Sequence, residues 1–218
     1  QSTAKILYTI YILMTVVEMV FLLLGGMPLF DTLCLSFGTA GTGGFGIKND
    51  SIASYSTYNQ IVITVFMILF GVNFNAYYLL LSKKVMQAAK NEEVRYYLGI
   101  IGLAIVAIAV NTRDMFTSFG RAFQQAAFQV GSIITTTGYA TTDFNVWPVF
   151  SKTILVILMF VGACAGSTGG GIKVSRLLIL CKSARKELQL YLHPNAVKKI
   201  KMDEKAIPHE VVRATNMF

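Results

Sequence analysis

Two stretches decide the fold: PLFDTLCLSFGTAGTGGFGI over residues 28–47 and RAFQQAAFQVGSIITTTGYA over residues 121–140. Each is too apolar for a free loop. Each runs through a short helical pattern into threonine and glycine and then an aromatic: Thr42, Gly43, Gly44, Phe45 in the first, Thr136, Thr137, Gly138, Tyr139 in the second. Gly44 and Gly138 lie 94 positions apart, and the apolar spans on either side recur with them. The chain therefore reads as an internal repeat of span, re-entrant helix, glycine strand and span.

Working outward, residues 6–24 form a nearly continuous apolar run, about the ~20 residues a spanning helix needs. Residues 61–81 make a second span, closed by Ser82, Lys83 and Lys84. A third begins near Tyr96, is clearly apolar over 98–110, and is expected to continue past Asn111 under less apolar residues. The fourth follows Trp147-Pro148, is apolar over 153–165, meets a glycine cluster and resumes at Ile172.

Composition agrees. Of 218 residues, 54% are apolar and 14% charged, with a mean hydropathy of +0.58, whereas a soluble domain carries about 25% charge. That excludes a disordered chain. Cys34, Cys164 and Cys181 are too scattered for a disulfide framework, and His193 and His209 offer no zinc spacing. No set of nucleophile, base and orienter is present, so no enzyme is expected.

The net charge of +8 is a matter of topology first. Lys5, the basic residues between spans two and three, and those after the glycine cluster account for 15 of 19, leaving Lys48, Arg113, Arg121 and Lys152 for the other side. The positive-inside rule then makes the N-terminus, the central loop and the C-terminal segment cytoplasmic. A nucleic-acid partner is not expected, because the basic residues are not interleaved with aromatics on a folded domain. The opening run lacks a small-residue cleavage site, so no signal peptide is expected, and the chain reads as part of a larger protein.

Lipid cannot satisfy free N–H and C=O groups, so a Thr-Gly strand at membrane depth must be enclosed by protein or line water. A row of carbonyls can replace the hydration shell of an alkali cation, and aiming them one way needs positive φ at some positions, which glycine adopts freely. Gly44 and Gly138 sit where that is needed. The short helices before them, residues 29–39 and 122–135, turn their negative dipole ends toward the strands.

TGGFG and TTGYA each resemble the TVGYG filter of potassium channels. Two span-filter-span units in one chain resemble the Trk/Ktr/HKT superfamily of potassium transporters. CAGSTGGGIKVSR at 164–176 and LHPNAV at 192–197 resemble its bacterial TrkH/TrkG branch. The resemblance implies an all-α integral membrane fold with four repeats around one pore, of which this chain carries the second and third. It implies potassium passing along filter carbonyls, with sodium as the alternative ion and no organic cofactor. It further implies a bacterial inner-membrane location, a cytosolic nucleotide-binding regulatory subunit, and repeats of the same polypeptide missing here. The expected divisions are 1–82 for the first repeat, 83–95 for a cytoplasmic connector, 96–192 for the second repeat, and 193–218 for a basic segment leading to a missing repeat. Two repeats supply half a ring, so conduction by this chain alone would need a homodimer; a non-conducting assembly subunit is the alternative.

Gly162, Gly166, Gly169, Gly170 and Gly171 would together cost a helix on the order of 5 kcal/mol relative to alanine. A break is expected there, and broken spans mark permeation routes in transporters. The resemblance makes Gly162, Cys164, Gly166, Ser167, Thr168, Gly169, Gly170 and Gly171 a gate loop below the filter, flanked by Lys173 and Arg176. The alternative is close helix packing through a Gly162-x-x-x-Gly166 match; the phosphate-loop spacing is absent. Asp50 and Asp143 read as an electronegative outer mouth; the alternative is that Asp143 and Asn145 only cap the next helix. Glu18 reads as a functional intramembrane acid or a structural partner. Asn73 and Asn75 read as cavity-lining or as interhelical hydrogen-bond donors. Lys173 and Arg176 suit a gate contact or positive-inside anchoring equally, and the basic stretch 198–205 suits a partner or anionic lipid.

Overall fold

The computed structural model describes residues 2–192, 200–203 and 205–217. Among the described residues it is mainly helical, with non-helical connections and one tiny hairpin. A long α1 (Ser2–Leu24) turns through Gly25 and Gly26 into the short α2 (Leu29–Ala40), whose first turn is opened by Pro28. After the first glycine strand comes α3 (Thr57–Phe70), capped by the Ser56 hydroxyl accepting from Asn59 N at 3.3 Å. Then follow α4 (Phe74–Leu81), α5 (Val85–Ala89) and the long α6 (Glu92–Asn111). A short α7 (Phe119–Ile134) leads to the second glycine strand, and α8 (Val149–Phe160) and α9 (Val174–Leu192) flank the glycine cluster. The antiparallel pair β1 (Lys201–Met202) and β2 (Lys205–Ala206) precedes α10 (His209–Asn216).

α1 over Ala4–Leu24 and α6 are long and apolar enough to cross a membrane. α3 and α4 qualify as a third span only if counted together, because they meet at 91°. The second span is thus not the continuous helix its hydropathy suggests. It breaks at Gly71, where a Cβ would stand 2.1 Å from the Tyr97 hydroxyl, and restarts at Asn73, whose side chain caps α4 by accepting from Asn75 N at 2.9 Å. The third span also differs: it gains its length at the N-terminal end, starting at Glu92 under an Asn91 cap, and stops at Asn111 before a single 3-10 turn at Arg113–Met115.

Two apolar cores form, and each contains residues of both halves. Leu22, Leu35, Ile63, Met67 and Phe70 bury with Phe128 and Tyr139 from the second half. Tyr97, Ile108, Val130, Leu155 and Val174 bury with Val72 and Ala76 from the first. Large apolar side chains remain on the outside, among them Leu13, Leu24, Leu103, Val149 and Phe160. That surface suits hydrocarbon rather than water.

Candidate ion filter and gate

The short helices α2 and α7 end the same way. Past α2, the N–H groups of Gly41, Thr42 and Gly43 bond back to the carbonyls of Phe37, Thr39 and Gly38 at 2.9, 3.1 and 2.7 Å. Ninety-four residues later, those of Thr135, Thr136 and Thr137 bond to Gly131, Ile133 and Ser132 at 3.2, 3.0 and 2.9 Å. The backbone then alternates in hand: Thr42 and Gly44 lie at φ 51° and 68°, Thr136 and Gly138 at 58° and 88°. A β-branched residue in the left-handed region costs roughly 1–2 kcal/mol, so two threonines there mark strain held for a purpose. Each hydroxyl donates to the preceding carbonyl, Thr42 to Gly41 at 2.8 Å and Thr136 to Thr135 at 2.7 Å.

The strands lie side by side, since a Cβ on Gly44 would sit 1.8 Å from the Thr137 carbonyl oxygen. Tyr139 is buried against α2, its hydroxyl donating to the Leu35 carbonyl at 3.2 Å. Phe45, its counterpart in position, is 85% exposed.

Residues 161–173 form a loop, with Val161 bridged to Ile172 in parallel. Gly162 and Gly166 therefore do not lie on a helix, and the helix-packing match does not apply. Gly162 presses on backbone, a Cβ there meeting the Gly170 oxygen at 2.2 Å, while Gly166 and Gly171 are left-handed at φ 68° and 72°. The loop touches both strands: the Thr42 hydroxyl shares its one proton between the Gly41 carbonyl and the Thr168 carbonyl, the latter at 3.2 Å, and Gly170 N donates to Thr136 Oγ1 at 2.7 Å. Gly169 packs on the Thr135 carbonyl, and Lys173 Nζ donates to the Gly169 carbonyl. Ser167 Oγ closes the turn onto the Cys164 carbonyl at 2.6 Å, and Cys164 is fully buried. Arg176 lies in the first turn of α9.

The loop also satisfies the broken span. At the end of α3, the Phe70 carbonyl accepts from Thr168 N (3.4 Å) and Oγ1 (3.3 Å), and the Gly71 carbonyl from Cys164 N (3.0 Å). Ile68 and Leu69 carbonyls accept from the hydroxyls of Tyr97 and Tyr77 at 3.1 and 2.7 Å. A helix end away from water needs such partners.

Glu93 was not anticipated. Its carboxylate is 3% exposed and accepts from Ala165 N at 2.6 Å, Ser175 N at 3.1 Å and Asn73 Nδ2 at 3.2 Å. The available signal was an acid directly after an Asn cap at the head of an apolar run, which hydropathy assigns to the connector. Asn73 thus serves as an interhelical donor and cap. Glu18 is fully buried between helices, and neither carboxylate oxygen has a hydrogen-bond partner among the described residues. Asp143 caps the 3-10 turn Phe144–Val146 through Asn145 N at 2.9 Å, and Asp50 accepts from Ser54 Oγ at 3.4 Å. Nearby, Tyr55 donates to Asp31 at 2.7 Å under the Lys48 ammonium, which lies 4.0 Å from the ring centroid. Burial first, and the Asp31 carboxylate second, hold that phenol above its usual range. Lys198 and Lys199 lie outside the described residues.

Comparison with known proteins gives these observations a family. A protein-family model described as TrkH, cation transport protein, matches residues 1–217. The Trk system potassium uptake protein TrkH of Salmonella typhimurium is 37% identical over 218 residues, covering 98% of this chain and 45% of the relative. TrkG of Escherichia coli K12, also named a Trk system potassium uptake protein, is 31% identical over 225 residues, covering 100% of this chain and 45% of the relative. The crystal structure of the potassium transporter TrkH from Vibrio parahaemolyticus superposes with a TM-score of 0.92 at 36% identity, covering 99% of this chain and 47% of that one. The chain spans about half the length of the relatives it matches. With a family model covering nearly every residue and a backbone superposing this closely, the chain belongs to the TrkH family of cation transport proteins.

Proposed function

We propose that this chain supplies two filter segments and the gate of a potassium uptake pathway in a bacterial inner membrane. The observation that carries the reading is the matched left-handed backbone at Thr42 and Gly44 and at Thr136 and Gly138, because alternating hand is how successive carbonyls come to face one axis. Thr42, Gly43, Gly44 and Phe45 with Thr136, Thr137, Gly138 and Tyr139 then offer backbone oxygens to potassium, or to sodium as the competing ion. The negative ends of α2 and α7 face the same place. Residues 162–171 close the inner side, and Lys173 steadies them through the Gly169 carbonyl. The relatives' names support potassium as the ion.

Both strands leave one flank open, which supports further repeats of the same polypeptide completing the ring. A homodimer and a cytosolic nucleotide-binding regulatory subunit, acting from the side of the basic C-terminal segment, complete the proposed assembly. The N-terminus and that segment are placed in the cytoplasm by the charge distribution.

The test is flux in the full-length protein. Deleting residues 165–171 raises rubidium influx or abolishes its regulation if the loop is the gate. Low membrane yield with no gain in flux would refute the gate. Rubidium-to-sodium flux ratios should fall in both Gly44→Ser and Gly138→Ser; unchanged ratios in both would refute the filter.

A further inference from the structure

We propose that Glu93 is the positioning residue that keeps the glycine loop seated beneath the filter strands. The proposal rests on the gate reading above and names what holds that gate shut. One buried carboxylate gathers donors from three segments distant in sequence. Oε1 accepts from Ala165 N and Ser175 N, which lie on either side of Gly166, Gly169, Gly170 and Gly171, and Oε2 accepts from Asn73 Nδ2 at the break of the bent span. Hydrogen bonds to a charged acceptor are about twice as strong as neutral ones. The glycine-rich part of the loop and the start of α9 are thus gripped at a single atom, and the first repeat's broken span is tied to the same side chain.

The turn that carries Glu93 is itself fixed on its other side. Glu92 N donates to Asp203 Oδ1 at 2.7 Å, Asn91 Nδ2 to Asp203 Oδ2 at 3.3 Å, and Lys182 Nζ of α9 pairs with the Glu92 carboxylate. Glu93 is therefore presented to the loop from a braced helix end. Without it, the partly buried Ala165 N and Ser175 N lose their charged acceptor, and the loop is released toward the cytoplasmic side, where its amides are solvated.

Cys164 reports that release. The thiol is fully buried next to Ala165, so a water-soluble maleimide modifies it only when the loop lifts. The experiment uses the full-length protein in membranes, with Cys164 as the one remaining thiol. Losing a charge-assisted hydrogen bond should speed labelling by roughly tenfold or more in Glu93→Ala. Glu93→Gln should give a smaller rise, since its amide oxygen keeps the place of Oε1. Asn73→Asp, which sets two carboxylates face to face, should also speed labelling. Combining Asn73→Asp with Glu93→Gln exchanges donor and acceptor and should restore protection. Wild-type labelling in Glu93→Ala, or a double variant labelled as fast as Asn73→Asp, overturns the proposal. If Glu93→Ala does not reach the membrane, the Asn73→Asp pair decides alone. Rubidium influx on the same samples separates the two readings: faster labelling with unchanged influx leaves Glu93 as the latch and refutes the gate.

Discussion

The two glycine strands share a backbone and differ in their neighbours. Gly44 is pressed against the second strand, its missing Cβ replaced by the Thr137 carbonyl at 1.8 Å, whereas nothing lies within 4 Å of the corresponding point on Gly138. The aromatics are reversed: Tyr139 is 1% exposed and inserted against the first short helix, and Phe45 is 85% exposed. Local sequence sets the shared part, since each strand makes the same backbone hydrogen bonds to its own helix. The difference comes from order along an arc. The Gly44 flank and the Tyr139 ring meet each other's segment, and the Gly138 flank and the Phe45 ring are left open, the pattern a head-to-tail arrangement of like segments would give.

The strongest test of that comparison is serine at the two glycines. In the 218-residue chain, Gly44→Ser meets both a left-handed φ and the Thr137 carbonyl, and should destabilise by about 3–5 kcal/mol, adding backbone strain to overpacking. Gly138→Ser meets only the φ and should cost about 1 kcal/mol. Thermal unfolding in detergent reads the difference. In the full-length protein the gap should close if another segment covers Gly138; a gap that persists would break the arc.

The loop contacts predict a smaller asymmetry. Thr136→Val strips the acceptor from Gly170 N and should loosen the loop by about 1–3 kcal/mol. Thr42→Val removes from the loop only the longer share of a hydroxyl proton that also serves the Gly41 carbonyl, and should loosen the loop less than half as much. Amide hydrogen exchange across residues 165–173 reads both, and equal effects would mean the loop does not lean on the second strand preferentially. Next in size, Tyr139→Phe removes one hydrogen bond to the Leu35 carbonyl, which Thr39 Oγ1 also holds at 2.8 Å. About 1 kcal/mol is expected. Phe45→Leu in the 218-residue chain should change stability by less than about 0.5 kcal/mol, as for exposed positions generally. A larger loss would show that Phe45 already has a partner.

Much of the candidate site was legible because glycine and threonine announce it. The five clustered glycines predict a break, and the structure places a loop there with two of them left-handed. The short helices were expected at 29–39 and 122–135 and span Leu29–Ala40 and Phe119–Ile134. The bend between α3 and α4 was not legible. Phe70, Val72 and Phe74 keep the stretch apolar around Asn73 and Asn75, so window-averaged hydropathy reads one span, and neither Gly71 nor two mid-span asparagines say that the helix turns. Glu93 escaped for a related reason: an acid near a span end is ordinarily solvated.

By itself, then, the sequence determined that the chain is helical and apolar, that it repeats at 94 residues, and where glycine relieves the backbone. Those are local properties, written in composition and in the φ preferences of single residues. Tertiary structure alone decided that the second span bends, that one carboxylate holds three segments, and that Tyr139 is covered while Phe45 is not. Each of these depends on atoms brought together from afar: the Phe70 carbonyl finds Thr168 across 98 residues, and Glu93 finds Ser175 across 82. The bend and the Glu93 cluster are stable only because such partners arrive, and no window along the chain contains them.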